Sequence, residues 1–120
     1  MELNYILAKN KTAIAELSDK DFIIRKTQDV LDIFGDLIAM DCDRLIIPER
    51  NLHADFFNLR TGLAGDILQK FSNYKIQVAI IGDFAKYKSN SLQDFIFESN
   101  KTATVFFTDK MESAIMRLEK

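Results

Sequence analysis

The stretch that most restricts the fold of this chain runs from Asn51 to Asp83. It predicts a long helix with small residues in its middle, because Phe56, Leu63 and Phe71 recur along one stripe. An apolar run follows and stops at Gly82, as expected for a strand that is covered on both faces. A helix that leads into a covered strand is typical of α/β folds with parallel crossovers.

The rest of the chain adds further units of the same kind. Two apolar runs, Leu3–Ala8 and Thr12–Leu17, predict an antiparallel hairpin in which Asn10 takes the left-handed turn conformation. A short extended piece at Phe22–Ile24 comes next. Helices then alternate with the apolar runs Leu45–Ile47, Val78–Ile81 and Val105–Phe107, and a last helix closes the chain.

This order predicts one α/β domain over residues 1–120. The sheet is expected to be mixed, with an N-terminal antiparallel hairpin followed by βα units that have right-handed crossovers. We expect four or five strands, with one layer of helices packed against them. The two strands Leu45–Ile47 and Val78–Ile81 should share the sheet, so that the loops after them open at a common edge.

Composition narrows the function classes. The 120 residues are 48% apolar and carry a formal net charge of −2, which excludes a disordered chain and gives no basic stripe for nucleic acid. Cys42 is the one cysteine, so neither an intrachain disulfide nor a multi-cysteine metal site can form. No signal-peptide pattern and no apolar run of about 20 residues are seen. We therefore expect a cytoplasmic protein without membrane contact, metal or cofactor.

Two glycines, Gly62 and Gly65, fall inside the predicted long helix, where each should cost about 1 kcal/mol relative to alanine. One explanation is that they let a neighbouring element approach closely. The other is that the true helix starts near Thr61 and offers free backbone N–H groups to an anion. The packing explanation is favoured, because the spacing fits neither a phosphate-binding loop nor a dinucleotide fingerprint.

Carboxylates follow two of the predicted strands. Glu49 and Asp83 should lie at the same edge of the sheet, where they could pair for acid/base chemistry or metal binding. The favoured alternative is that Asp83 caps the next turn through backbone amides. His53, the only histidine, is interpreted as an ordinary surface residue.

Glu98 sits near the negative end of a predicted helix, which indicates a cationic partner such as Arg60 or a lysine. Together with the strand ends and the loop after them, these residues define the predicted contact edge. Its members are Glu49, Arg60, Thr61, Asp83, Lys86, Tyr87 and Glu98.

Two resemblances can be drawn from these residues. The segments NLHADFFNLRTGLAGDILQKFSNYKIQVAIIGDFAKYKSNSLQDFIFESN and TVFFTDKMESAI resemble a bacterial domain-of-unknown-function family, DUF4180, which implies no activity. The order of elements is similar to STAS (SpoIIAA)-like domains, whose Asp-Ser-Ser-Gly-Leu-Gly motif carries a phosphorylated hydroxyl. Thr61-Gly62-Leu63 matches the second Ser, the Gly and the Leu of that motif, whereas Leu59 stands in place of its Asp and Arg60 in place of its first Ser.

Three functions stay open at this point. The favoured one is a regulatory module that binds a protein partner or a small ligand without catalysis. The alternative is a small enzyme or nucleotide-handling protein that uses Glu49, Arg60 and Asp83. The third is a homodimer formed through one or more exposed phenylalanines that lie off the apolar stripes, and the candidates are Phe57, Phe84 and Phe97.

Overall fold

A computed structural model of the chain describes residues Met1–Lys120. Five strands and four α-helices make up the fold, with four short 3-10 turns between them. The strands are β1 (Leu3–Leu7), β2 (Ala13–Leu17), β3 (Arg44–Pro48), β4 (Gln77–Ile81) and β5 (Val105–Thr108). The helices are α1 (Thr27–Ala39), α2 (Leu63–Tyr74), α3 (Asn90–Ser99) and α4 (Met111–Leu118).

The strands form one mixed sheet in the order β1-β2-β3-β4-β5. β1 and β2 are the antiparallel hairpin, and every later pair of neighbours is parallel. Each parallel connection passes through one of the helices α1, α2 and α3. The predicted α/β class, with its N-terminal hairpin and following βα units, is thereby confirmed.

The two faces of the sheet are covered unequally. Residues such as Leu45 and Val78 point to the face that carries α1, α2 and α3, and they belong to the main core. The alternate residues, among them Ile46 and Ala79, pack with Ala114 of α4 on the other face. The prediction of a single helical layer was therefore wrong. The inner strands are apolar on both faces, and α4 covers the face that the crossover helices leave open.

The segment Asn51–Thr61 is not the first half of a long helix. It forms short 3-10 turns at Glu49–Asn51, Ala54–Phe57 and Leu59–Thr61, and α2 begins only at Leu63. Local side-chain bonds compete with the helix here, since His53 Nδ1 accepts the Asp55 N–H and Asn58 Oδ1 accepts the Arg60 N–H. Gly62 ends the last turn in the left-handed conformation, with φ of 78°.

Two smaller predictions also need correction. In the hairpin turn the left-handed residue is Lys11, with φ of 69°, and Asn10 instead accepts the Thr12 N–H through its side chain. The piece Phe22–Ile24 is not a strand, because only Ile24 forms a bridge, to Leu52. None of the four helices combines the length and the apolar character that crossing a bilayer requires.

Candidate functional site

The ends of β3 and β4 bring Glu49 and Asp83 together. Pro48 lies opposite Ile81 in the parallel register, so the loops that follow the two strands leave the sheet side by side. The Asp83 N–H donates to Glu49 Oε1 at 3.1 Å. Gly82 lies beneath this contact, and a Cβ atom on it would stand 2.5 Å from Glu49 Oε1. The close approach therefore requires glycine at this position.

The Glu49 carboxylate is held at both oxygens. Oε2 accepts the Tyr87 hydroxyl at 2.5 Å and pairs with Lys86 Nζ at 2.9 Å, while Oε1 accepts the Asp83 N–H. Burial alone would raise the pKa of Glu49, but the bonds from Tyr87, Lys86 and Asp83 together lower it below its usual value. Glu49 is thus a fixed anion at neutral pH. We call Glu49, Asp83, Lys86 and Tyr87 the Glu49 cluster.

Tyr87 is fixed by aromatic contacts as well as by Glu49. Its ring stacks on Phe57 with 4.9 Å between centroids and 16° between planes. Lys86 Nζ lies 5.3 Å from the centroid of the Tyr87 ring. Burial, followed by the hydrogen bond and the charge of Glu49, raises the pKa of the Tyr87 hydroxyl well above its usual value. The phenol therefore stays a donor to Glu49.

The turn that carries Lys86 and Tyr87 is anchored from α3. The Gln93 side-chain amide donates to the carbonyl of Phe84 at 2.8 Å and to that of Tyr87 at 3.0 Å. Because one amide satisfies both ends of the Phe84–Lys86 turn, the position of the two cluster side chains is set by the helix.

A shallow cleft of about 290 Å³ opens beside the cluster. The apolar side chains of Leu52, Phe57 and Tyr87 line part of it. Charged side chains line the rest. The lining residues are Glu49, Arg50, Leu52, Ala54, Phe57, Lys86 and Tyr87. Such an arrangement can hold an apolar group and a charged group of one ligand at the same time.

Asp83 contributes its backbone and not its carboxylate. No side-chain cap is formed on the Phe84–Lys86 turn, and Asp83 itself is exposed. The prediction that the Asp83 carboxylate caps this turn was therefore wrong. No group of three or more His, Cys, Asp or Glu side chains comes close enough to hold a metal ion.

Arg60 and Thr61 lie in the last turn before α2 and make no bond to the Glu49 cluster. The Thr61 hydroxyl donates to the Asp55 carbonyl at 2.7 Å and accepts the Leu63 N–H at 3.2 Å, which fixes the start of α2. The favoured packing explanation for the glycines was wrong, because a Cβ on Gly62 or Gly65 would meet nothing within 4 Å. The alternative, a helix that starts near Thr61, is close to what is found.

Glu98 lies at the opposite end of the sheet. Helix α3 starts beside the Glu49 cluster and runs back to the beginning of β5, so Glu98 near its end is far from the other predicted residues. Its carboxylate pairs with Lys101 at 3.3 Å. Of the two partners proposed for Glu98, the lysine is confirmed and Arg60 is not.

Several residues that shape the site are not in the predicted set. Phe57 supports Tyr87 and Gln93 anchors the turn. A single phenylalanine or glutamine in a sequence does not indicate such a role. Asn51 is fully buried and donates to the carbonyls of Asp19 and Phe22, both at 2.8 Å, which ties the loop after β2 to the end of β3. The one usable signal was Gly82 at the strand end, since glycine there permits the close approach of Glu49.

The aromatic patch predicted for a homodimer is mostly internal. Phe57 and Phe84 are only 7% and 9% exposed and pack against each other with centroids 5.9 Å apart. Phe97 alone is exposed, and Lys101 Nζ lies 4.5 Å above its ring. Of the three candidates, only Phe97 therefore stays available at the surface, and a homodimer through it stays a prediction.

Comparison with known proteins gives one family. The family model described as Domain of unknown function (DUF4180) matches residues 9–118. Neither the curated proteins nor the solved structures contain a match to the chain. The matched region includes the whole Glu49 cluster and all strands except β1.

Proposed function

The chain belongs to the DUF4180 family, and from the geometry beside Glu49 we propose that it is a non-catalytic binding module. Its contact surface is the cleft next to the Glu49 cluster. The observation that carries the proposal is the state of the Glu49 carboxylate, both of whose oxygens are engaged by partners within the chain.

A catalytic carboxylate must exchange a proton or a bond with the substrate. A general base works best when its pKa lies near the working pH, and the pKa of Glu49 is shifted the other way. The internal bonds to Tyr87, Lys86 and Asp83 would have to break before Glu49 could react. These features support a positioning role, in which Glu49 fixes the walls of the cleft, over the alternative of a small enzyme.

The side chains at the cleft indicate the chemistry of a ligand. Lys86 is already paired with Glu49, whereas the exposed Arg50 has neither a hydrogen bond nor an ion pair within the chain. Leu52 and Phe57 line the same cleft as Arg50. We therefore propose a ligand that joins an apolar group to a carboxylate or phosphate, because Arg recognises both anions through paired N–H donors.

We also propose that the module works in the cytoplasm. The free, buried Cys42 suits a reducing compartment such as the cytoplasm. The similarity of Thr61-Gly62-Leu63 to STAS domains supports a regulatory role. No cofactor and no nucleic acid is part of the proposal.

Ligand binding at the cleft can be tested with a thermal-shift panel. Small apolar carboxylates, small apolar phosphates and short acidic peptides are added separately to the wild type, to Arg50→Ala and to the control Lys101→Ala. A ligand at about 100 times its dissociation constant should stabilise the fold by about 2.7 kcal/mol. We expect this shift in the wild type and in Lys101→Ala, and its loss in Arg50→Ala.

The outcomes separate the alternatives. A shift from the free acids but not the peptides identifies a small-molecule ligand, and the reverse identifies a protein segment. If no compound of the panel shifts the melting temperature, or if Arg50→Ala responds as the wild type does, the proposed cleft is wrong. Chemical conversion of a panel compound that Glu49→Gln abolishes would establish the enzyme alternative instead.

A further inference from the structure

The two edges of the sheet differ in whether their outward backbone groups have hydrogen-bond partners. At the β5 edge, the Phe107 N–H donates to Asn100 Oδ1 at 2.7 Å, and Asn100 Nδ2 donates to the Phe107 carbonyl at 3.1 Å. The Val105 N–H points to the Thr102 hydroxyl at 3.5 Å. These side chains occupy the backbone groups to which another strand would bind, so the β5 edge is closed.

The β1 edge has no such protection. The Ser18 N–H donates to Glu2 at one end of the hairpin, and the Ala8 N–H donates to Thr12 at the other. Because antiparallel pairing alternates, even-numbered residues of β1 bond to β2, while the backbone groups of Leu3, Tyr5 and Leu7 point away from it. None of these outward groups has a partner within the chain.

The sequence of β1 also lacks the features that discourage strand pairing. Its residues, LNYIL, include no proline, no charge and no glycine. Leu7 is 69% exposed and Tyr5 is 38% exposed, although both are large and apolar or aromatic. An edge of this composition is a site for the addition of another strand.

Apolar clefts flank β1 on both faces of the sheet. On the α1 side a cleft of about 340 Å³ is lined by Leu3, Tyr5 and Met40, among others. On the α4 side a cleft of about 460 Å³ includes Ile6 and Met116. Met40 and Met116 are 59% and 61% exposed, so the apolar surface continues from the strand onto both neighbouring helices.

We propose that the β1 edge is a homodimer interface, in which β1 of a second copy of the chain adds to the sheet in the antiparallel direction. The twofold axis passes at Tyr5. Leu3 of each copy then lies opposite Leu7 of the other, and the two Tyr5 residues face each other. This register pairs every outward N–H and C=O of Leu3, Tyr5 and Leu7 with its own counterpart.

Charge and shape favour a second copy in this direction. Glu2 precedes β1, whereas Lys9 and Lys11 follow it, so antiparallel pairing places the basic end of one strand near the acidic end of the other. Parallel pairing would set like charges side by side. In the antiparallel register Leu7 also meets Leu3 of the second copy, which lines the cleft with Met40.

Sedimentation of the full chain tests the interface. Over about 1 to 200 µM we expect the wild type to pass from monomer to dimer. Leu7→Lys should raise the dissociation constant at least about tenfold, because a lysine on an edge strand opposes pairing. The matched control is Phe97→Lys, since Phe97 is 64% exposed on α3 and lies away from β1. It should dimerise as the wild type does.

A disulfide test checks the register and does not depend on Leu7→Lys. In a Cys42→Ala background, oxidised Tyr5→Cys should cross-link to itself, because the two residues face each other within the Cα distance that a disulfide allows. Leu7→Cys is the control and should not, since its opposite residue is Leu3. A monomeric wild type over the whole range, loss of dimer in Phe97→Lys alone, or equal cross-linking of both cysteine variants would overturn the proposal.

Discussion

Two regions of this molecule carry polar groups at the boundary between the sheet and solvent, and they differ in whether those groups have partners within the chain. In the Glu49 cluster, the carboxylate finds every partner within the chain, from the hydroxyl of Tyr87 to the backbone of Asp83. Along β1, the outward backbone groups of Leu3, Tyr5 and Leu7 find none. A region that satisfies its own polar groups is preorganised, whereas one that does not leaves those groups free to bind water or another strand.

The difference predicts how each region responds to substitution. Changes in the Glu49 cluster should appear in the free energy of unfolding of the monomer, because the bonds are intramolecular. Changes at the exposed β1 side chains should leave the monomer nearly unaffected and alter association instead.

Gly82→Ala tests how tightly the cluster is built. The new Cβ would lie 2.5 Å from Glu49 Oε1 and 2.6 Å from Glu49 Cβ, so Glu49 must move and lose its bonds. We expect a loss of about 2–4 kcal/mol in the free energy of unfolding, measured by urea denaturation. Gly65→Ala is the control, because its Cβ meets nothing within 4 Å and should stabilise α2 by up to about 1 kcal/mol. Equal effects of the two substitutions would contradict the close contact.

Asn100→Ala converts the closed β5 edge into an open one like β1. It removes both bonds to the backbone of Phe107, whose N–H and carbonyl are part-buried, and should cost about 1–3 kcal/mol. Asn90→Ala, at an exposed position of α3, is the control and should change stability by less than about 0.5 kcal/mol. Hydrogen exchange of the Phe107 amide should accelerate only in Asn100→Ala. An unchanged exchange rate would show that Asn100 does not protect the edge.

Glu49→Gln keeps the shape of the side chain but removes its charge. The ion pair with Lys86 disappears, and the new NH2 group must face either the Asp83 N–H or the Lys86 ammonium, both of which can only donate. We therefore expect a loss of about 1–2 kcal/mol. Glu98→Gln removes an ion pair whose two side chains are exposed, with Lys101, and should cost less than about 0.5 kcal/mol. Urea denaturation of both variants measures the difference. Similar losses in the two would mean that Glu49 behaves as an ordinary surface carboxylate.

Much of the fold could be predicted from the sequence, because hydrophobic periodicity reports burial directly. The apolar runs at Leu45–Ile47 and Val78–Ile81 gave neighbouring parallel strands, and their shared edge is confirmed. The helix expected from Asn51 failed for a local reason. Its apolar spacing is helical, but His53 and Asn58 bind backbone N–H groups and hold the segment in 3-10 turns.

The site was harder to predict because its contacts join distant parts of the chain. Glu49 and Tyr87 were both in the predicted set, yet their hydrogen bond depends on the turn that Gln93 anchors from α3. Glu98 was wrongly assigned to the contact edge for a simpler reason. It lies near the C-terminal end of α3, and this helix runs from the contact edge back to the opposite end of the sheet. The open β1 edge could not be predicted from a hairpin pattern, which does not tell which strand remains unpaired.

The smallest effect should come from acid titration of the cluster. The pKa of Glu49 in the folded chain lies below its ordinary value of 4.5, so the stabilisation that it provides is complete above that value and is lost as the pH falls through the lowered pKa. Protonation leaves Tyr87 and Asp83 in place, so less is lost than in Glu49→Gln. Denaturation at pH values from about 6 to about 3 should therefore show a steeper acid loss in the wild type than in Glu49→Gln. If the free energy of unfolding fell equally with acid in the two proteins, the bonds to Glu49 would not favour its ionised form. The contrast with β1 would then rest on geometry alone.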